Sequence, residues 1–360
     1  MNATQATIDL DDTEGLLAAD RDGLLRAVST AGAQARAAAS ALDEGALDAV
    51  RGDDRPRTVI WVAGRGTAET AGTMLAATFG SWAAAPIVVA ADAPSWIGPL
   101  DVLIVAGDDP GDPALVGAAA SGVRRGARVV VAAPYEGPLR DTTAGRVAVL
   151  EPRLPVPDEF GLCRYLAAGL AALQTVDPKL RVDLATLADE LDAEALRNSA
   201  SREVFTNPAK ALVERMSRRR VVLAGDCAAT LALARHGSSV LLRIAYQVAA
   251  STGLADALIA LRTTASGPVD PVEALFHDEE IDGPVAERLR VLALTLDAER
   301  TVVASRVAQL DDVDIVGAED VPDGPDGGSA PVGAQRAEQQ LAILAVRLEM
   351  AAVYLRLVRG

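Results

Sequence analysis

Residues 58–72, TVIWVAGRGTAETAG, carry the pattern that decides the fold of this 360-residue chain. The apolar run over residues 59–63 predicts a buried parallel strand, because such strands are covered on both faces. A loop with Gly64 and Gly66 follows, and the alanine-rich pattern after it predicts a helix. Since the first N–H groups of a helix point out of such a loop, this arrangement is typical of anion-binding sites in α/β proteins.

A similar unit occurs later in the chain, at residues 220–233, RVVLAGDCAATLAL. Two such units predict two similar α/β domains, and the chain is long enough for two hydrophobic cores. Strands that alternate with helices predict parallel sheets with helical crossovers. The predicted division is an N-terminal arm over residues 1–26, a first domain over residues 27–176, a linker helix within residues 177–198 and a second domain over residues 199–360.

The period and composition of the chain predict the individual elements. Strands are predicted at residues 59–63, 86–90, 101–106, 127–133, 146–150, 221–224, 254–261, 289–296 and 313–316. Helices are predicted at residues 27–50, 68–79, 112–125, 163–173, 184–196, from about 207, 228–250 and 337–357. The last helix is apolar around most of its circumference, which predicts that it is buried. Residues 317–333, rich in Gly, Pro and Asp, predict an exposed loop.

Composition excludes several classes of partner. The net charge of -16 argues against nucleic acid and against anionic membranes, because both require a basic face. The two cysteines, Cys163 and Cys227, give neither a disulfide framework nor a zinc-binding spacing. No leader pattern opens the chain, and no charge-free apolar run reaches about 18 residues. We therefore expect a soluble, cytoplasmic protein without a cofactor or bound metal.

Three stretches resemble SIS (sugar isomerase) proteins, and most closely the bifunctional phosphoglucose/phosphomannose isomerase family. Residues 64–72, GRGTAETAG, resemble its first glycine loop, GMGGSGIAG. Residues 207–210, NPAK, resemble the opening of its second domain, and residues 349–355, EMAAVYL, resemble its closing helix, DYVSVYL. The chain is also similar to an actinobacterial branch labelled TobH. The resemblance implies an α/β fold of two SIS-type domains, each a mostly parallel sheet between helices in a Rossmann-like three-layer sandwich, with a long C-terminal helix.

The resemblance also implies a ligand, a sugar phosphate of hexose-phosphate metabolism (glucose, mannose or fructose 6-phosphate), and a homodimer. The substrate-binding residues that it implies lie in loops after strands and are Gly64, Arg65, Gly66, Thr67, Gly107, Asp109, Asp112 and Gly225. One loop departs from the family, because its hydroxyl-rich S-x-S-G-N-T turn is replaced by GDDPGD at residues 107–112. Three carboxylates stand where donors would be, and Pro110 lacks a backbone N–H. Two like charges about 4 Å apart repel by roughly 4 kcal/mol at a surface-like dielectric, so this turn opposes a phosphate.

The catalytic positions of the family are altered as well. Gln247 lies in the region of the family's glutamate base, and Lys210 is the last lysine, which leaves the family's late lysine without a counterpart. Aldose–ketose isomerisation would then need its base, its ring-opening acid and its cations from other residues. The candidates are Glu273 or Glu279 as base, His277 as acid, and Arg336 and Arg164 as cations, with Arg153 as an alternative to Arg164.

Most of these features also have a purely structural interpretation. The first glycine loop forms either a ligand site or only a tight turn. The aspartates of the GDDPGD turn either bind a divalent metal or serve as solvated acids and helix caps, and Asp112 before Pro113 fits a cap. His277, beside three acidic residues, fits a base, a metal site or a solvated loop. Cys227, near a helix start, is either a reactive thiol or a small buried residue, and His236 receives no role.

Three functions follow as hypotheses. The first is a sugar-phosphate-binding protein with an altered isomerase site, the second an active isomerase with rearranged residues, and the third a non-catalytic interaction or regulatory subunit. His277 and an acid within about 6 Å of the first glycine loop would favour the enzyme. A cleft lined by the carboxylates of residues 108–112, with no arginine facing them, would favour the interaction subunit.

Overall fold

The computed structural model describes residues 8–52, 54–81, 83–217, 219–264, 289–318 and 336–359. Within these ranges the chain forms two parallel β-sheets, each covered by helices. The helices are α1 (Thr13–Ala19), α2 (Leu24–Val28), α3 (Ala31–Asp43), α4 (Gly66–Phe79), α5 (Pro113–Arg124), α6 (Gly137–Thr143), α7 (Leu162–Val176), α8 (Leu184–Arg197), α9 (Pro208–Met216), α10 (Ala228–Ala245), α11 (Leu254–Thr264), α12 (Asp297–Val307) and α13 (Ala337–Arg359).

The first sheet has five parallel strands in the order β2-β1-β3-β4-β5. They are β1 (Thr58–Ala63), β2 (Ile87–Ala90), β3 (Asp101–Ala106), β4 (Arg128–Ala132) and β5 (Ala148–Val149). Every residue of β1 and β3 is buried, since apolar clusters cover both faces of the sheet. The chain leaves β1 towards β2 on one side and returns to β3 on the other. The loops after β1 and β3 therefore diverge, which opens a crevice at the carboxyl ends of these strands.

The second sheet has four parallel strands in the order β7-β6-β8-β9. They are β6 (Arg220–Gly225), β7 (Ala250–Gly253), β8 (Leu289–Leu294) and β9 (Val313–Val316). Strand β6 is the counterpart of β1, because it lies inside its sheet and leads through a short loop into a long helix, α10. The two predicted α/β units are thus present, each with a parallel sheet.

One strand prediction is wrong. Residues 254–261, predicted as a strand, belong to helix α11. The strand of this region is β7, which begins at the last residue of the predicted helix 228–250 and ends just before the predicted strand. Helix α10 ends earlier because Tyr246 adopts a left-handed backbone with a φ of 52°. Strand β7, at the edge of its sheet, consists of small residues and lacks the apolar run that would indicate a strand.

The N-terminal segment, predicted as an arm over residues 1–26, is helical in much of its described part. Its described part forms α1 and α2, and the side chains of Leu16 and Leu25 are buried in the main hydrophobic cluster. Both helices pack against α13. The predicted exposed loop at residues 317–333 falls almost entirely outside the described residues.

Helix α13 lies in the centre of the molecule, as its apolar circumference predicts. It packs against α7, α8, α9 and α10. Its buried Arg347 donates from Nε to Glu194 Oε1 of α8 (2.8 Å) and from Nη1 to the carbonyl oxygen of Gly317 (2.7 Å). Asn198 Nδ2 also donates to Glu194 (2.7 Å). A satisfied ionic network thus connects the linker helix to the C-terminal helix.

Candidate functional site

A crevice of about 270 Å³ opens where the loops after β1 and β3 diverge. Its position agrees with the rule that open α/β sheets bind ligands where the winding direction reverses. Most of the predicted substrate-binding residues line it together: Gly64, Arg65, Gly66, Thr67, Gly107, Asp109 and Asp112. Asp108, Leu115, Asp158 and Arg243 complete its described lining.

The start of α4 faces this crevice and carries no side-chain cap. Arg65, at the N-cap position, has extended backbone and makes no capping hydrogen bond. Gly66 has a φ of 67°, a left-handed conformation that favours glycine at this turn. Thr67 donates its hydroxyl to the carbonyl oxygen of Asp158 (3.1 Å). The first N–H groups of α4 therefore lie without a capping side chain beside the crevice, where an anion would be favoured.

Asp108 is not an isolated negative charge. It forms an ion pair with Arg164 of α7, and its Oδ1 accepts a hydrogen bond from the hydroxyl of Tyr165 (2.7 Å). Burial raises the pKa of the Tyr165 hydroxyl, which therefore remains a donor at neutral pH. An arginine thus faces the acidic turn. The condition stated above for an interaction subunit, a carboxylate-lined cleft with no arginine facing it, is therefore not met.

The other two aspartates of the turn have local structural roles. Asp109 Oδ1 accepts the backbone N–H of Gly111 (2.8 Å). Asp112 caps α5 by accepting the N–H of Ala114 (2.9 Å), with Pro113 in the first turn. A Cβ at Gly64 would lie 2.6 Å from Asp112 Oδ2, so a larger residue there would require this carboxylate to shift. The start of α5 is therefore already occupied by a carboxylate, and an incoming anion is better placed at α4.

Arg243 brings the second domain to this crevice. Its Nη2 donates to Asp158 Oδ2 (2.9 Å) and to Glu159 Oε1 (2.8 Å), both in the short 3-10 helix Asp158–Phe160 of the first domain. Burial raises the pKa of Asp158, but the hydrogen bond from Arg243 and other hydrogen bonds outweigh it, so the pKa lies below its usual value. This guanidinium therefore joins the two domains and supplies positive charge at the crevice.

A second cavity adjoins the crevice and lies between α4 of the first domain and α10 of the second. We call it the interhelix groove. Its volume is about 210 Å³, and it shares Gly66, Thr67 and Arg243 with the crevice. Its other lining residues are mostly polar and are Glu69, Thr70, Thr73, Glu159, Ala232, Arg235, His236, Ser239 and Val240.

His236 lines this groove and forms a hydrogen bond with Glu349 of α13. Its Nε2 lies 2.8 Å from Glu349 Oε1, and both side chains are buried. Burial raises the pKa of Glu349, and the hydrogen bond with His236 opposes that rise.

Burial also raises the pKa of the Cys163 thiol, and the nearby charge of Glu349 adds to the effect. Cys163 is thus a buried, unreactive thiol rather than a nucleophile.

The remaining candidate residues lie away from the crevice or outside the described residues. Arg336 lines a separate cleft of about 470 Å³ beside Asp183. Arg153 pairs with Glu44 at the surface, and Gly225 packs against the start of α10. Three catalytic candidates lie outside the described residues: His277, Glu279 and Glu273.

Gly225 has a steric role in this structure. A Cβ at this position would lie 2.2 Å from the backbone nitrogen of Leu231, which cannot move without shifting α10. We expect Gly225→Ala to lower the free energy of unfolding by about 1–3 kcal/mol, the usual cost of overpacking. Chemical denaturation would measure it. Gly117→Ala in α5 is the control, because a Cβ there meets nothing within 4 Å, and unchanged or higher stability is expected. Equal effects of the two substitutions would contradict the steric explanation.

Sequence reasoning missed Arg243, Asp158 and the His236–Glu349 pair. A usable signal was present in α10, where Arg235, Ser239 and Arg243 recur every four residues and so share one helix face. Such a polar stripe on a long helix indicates a solvated face or a groove. In contrast, Asp158 is distant in sequence, and only the packing of the domains brings it to Arg243.

The described residues contain neither a metal-binding cluster nor a membrane-spanning helix. No group of three or more His, Cys, Asp or Glu side chains in those ranges is arranged to hold a metal ion. None of the helices in the described part of the chain combines the length and the apolar character needed to span a bilayer.

Comparison with known proteins identifies the fold. The sequence matches no protein-family model and no curated protein. A tagatose-6-phosphate ketose/aldose isomerase from Escherichia coli aligns with a TM-score of 0.61 and 13% identity, over 96% of this chain and 92% of its own. The C-terminal domain of a glucosamine-fructose-6-phosphate aminotransferase from Francisella tularensis aligns with a TM-score of 0.56 and 11% identity, over 96% of each chain. At these identities the likeness shows the fold, and the predicted α/β fold of two mostly parallel sheets flanked by helices is confirmed.

Proposed function

We propose that this chain is a sugar-phosphate-binding protein of hexose-phosphate metabolism, with a ligand such as glucose, mannose or fructose 6-phosphate. The observation that carries the proposal is the crevice at the carboxyl ends of β1 and β3. Three features there suit a phosphorylated ligand: the uncapped start of α4, the guanidinium of Arg243 and the polar interhelix groove. The two proteins of similar fold described above are named as enzymes that act on sugar phosphates, which supports the same ligand class here.

The arrangement of charge favours one place for the phosphate. Asp108 is paired with Arg164, and Asp112 is occupied in capping α5. The phosphate is therefore expected at the start of α4, between Arg65 and Arg243, rather than at the start of α5. The sugar would extend into the interhelix groove, where hydroxyl and charged groups can bind its oxygens.

We propose further that the chain belongs with the phosphoglucose/phosphomannose isomerases, in their TobH-labelled branch. We also propose that its isomerase site is altered. We also propose a cytoplasmic homodimer. Tyr246 and Val248, 76% and 78% exposed, supply apolar surface for a subunit contact at the end of α10.

Thermal unfolding tests the ligand class directly. With millimolar fructose, glucose or mannose 6-phosphate, or arabinonate 5-phosphate, we expect the melting temperature to rise. A ligand at about 100 times its dissociation constant stabilises the native state by roughly 2.7 kcal/mol. Unphosphorylated glucose and fructose are the controls for the sugar, and inorganic phosphate is the control for the anion. Unchanged melting with all four sugar phosphates would contradict the proposal.

A further inference from the structure

The interhelix groove adjoins the crevice, and we call the two together the ligand path; His236 lines its groove part. They share Gly66 and Thr67 at the start of α4 and Arg243 at the end of α10. His236 lies on α10 two turns before Arg243 and also lines the groove. A ligand with its phosphate at the start of α4 and its carbon chain in the groove would therefore lie against a lining that includes His236.

His236 is buried, but it has a carboxyl partner and lines the polar interhelix groove. Its Nε2 is engaged by the Glu349 carboxyl group at 2.8 Å, and Glu349 is buried on α13. A carboxylate that accepts the Nε2 proton of an imidazole fixes the ring orientation and leaves Nδ1 as the acceptor, which is the tautomer that a base at this position requires. The rest of the groove supplies polar groups on both sides, among them Glu69 and Thr70 on α4 and Arg235 and Ser239 on α10.

We propose that His236, oriented by Glu349, is the acid–base residue that moves a proton on a sugar phosphate bound along this path. The inference rests on the proposed function and adds an activity to it. Sequence reasoning placed the base among residues 273–279 and gave His236 no role. In the structure His236 is the imidazole that borders the path from the crevice, within the described part of the chain.

The proton transfer balances without a further reactant. The neutral imidazole takes the proton from the carbon next to the carbonyl of the open-chain sugar phosphate. The electron pair of that C–H bond forms a carbon–carbon double bond, and the former carbonyl oxygen becomes an enediolate oxygen. A proton then passes from the neighbouring hydroxyl to that oxygen, and the imidazolium returns its proton to the former carbonyl carbon. Arg243 and Arg235 supply positive charge in the groove, where the enediolate charge develops.

Hydrogen exchange with solvent detects this step even where no net isomerisation accumulates. The full chain is incubated in D2O with fructose 6-phosphate or glucose 6-phosphate, and the loss of the C1 or C2 proton signal is followed by NMR. The wild type is expected to exchange one of these protons. His236→Gln, which can keep a hydrogen bond to Glu349 but cannot carry the proton, is expected to lower the rate by about 10²–10⁴-fold, the usual contribution of a general base. Its affinity, measured by calorimetry, is expected to be unchanged.

Glu349→Gln provides the second variant and keeps the test valid if His236→Gln does not fold. As a positioning residue, Glu349 is expected to change the exchange rate and not the affinity, a split that general loss of structure would not produce. Wild-type protein that binds the sugar phosphate without exchange would overturn this inference and leave the proposed function standing. Exchange at the wild-type rate in both variants would also overturn it. Absence of binding by the wild type would overturn both proposals.

Discussion

Replacing Arg347 by methionine is expected to lower the free energy of unfolding by roughly 3–5 kcal/mol, because Glu194 would keep a buried charge without its main cation. Arg347 also donates to the carbonyl oxygens of Gly317 and Ala318, which would lose a donor. Chemical denaturation followed by circular dichroism measures the change.

Two matched variants separate this cause from general disruption of α13. Arg356 lies on the same helix and pairs with Asp22 at the surface (2.6 Å), so Arg356→Met is expected to cost only about 0–1 kcal/mol. The double variant Arg347→Met/Glu194→Leu removes both buried charges, and it is expected to recover much of the lost stability. Equal destabilisation by Arg347→Met and Arg356→Met would show that the buried ion pair contributes no more to stability than the surface pair.

Replacing Arg243 by methionine is expected to weaken sugar-phosphate binding by about 10- to 100-fold. A hydrogen bond to a charged group contributes about 1.5–3 kcal/mol, and 1.4 kcal/mol corresponds to a factor of ten. Titration calorimetry with fructose 6-phosphate measures the effect. Because Arg243 also joins the domains through Asp158 and Glu159, the melting temperature without ligand is recorded in parallel.

Two further variants test the prediction, one expected to change the affinity in the opposite direction and one that serves as a control. Asp109→Asn removes a negative charge from the crevice and is expected to strengthen phosphate binding. Arg306→Met removes an arginine that pairs with Asp226 in the second domain and is expected to leave the affinity unchanged. Equal weakening by Arg243→Met and Arg306→Met would indicate a general effect of net charge rather than a phosphate contact.

The sheet interiors could be predicted from sequence because burial on both faces leaves a continuous apolar run. Strands β1 and β3 lie in the middle of their sheet, and both were predicted to within one residue. Strand β7, at a sheet edge, has no such run, and the apolar residues after it resemble a strand although they form α11. The polar helix α12 was missed for a similar reason, since few of its side chains are buried.

The residues of the candidate site also fall into two groups, those that the sequence could predict and those that depend on packing. The loop at Gly64 and the turn at residues 107–112 could be predicted, because each is encoded by adjacent residues at the end of a strand. Arg243 and Glu349 could not be placed, since their positions depend on how one helix packs against another. Charged residues in the otherwise apolar α13 do hint at buried partners, but the sequence does not say which ones.

The central position of α13 also bears on how the chain reaches its native state during synthesis. The earliest described helices, α1 and α2, and the last one, α13, pack against each other. A ribosome releases them in order, so α1, α2, α7 and α8 emerge before the helix that covers them. Until residue 359 has left the exit tunnel, their apolar faces remain exposed to other nascent chains and to chaperones. Contacts between such distant segments slow folding, so these faces are expected to stay exposed for longer than those of a fold closed by local contacts.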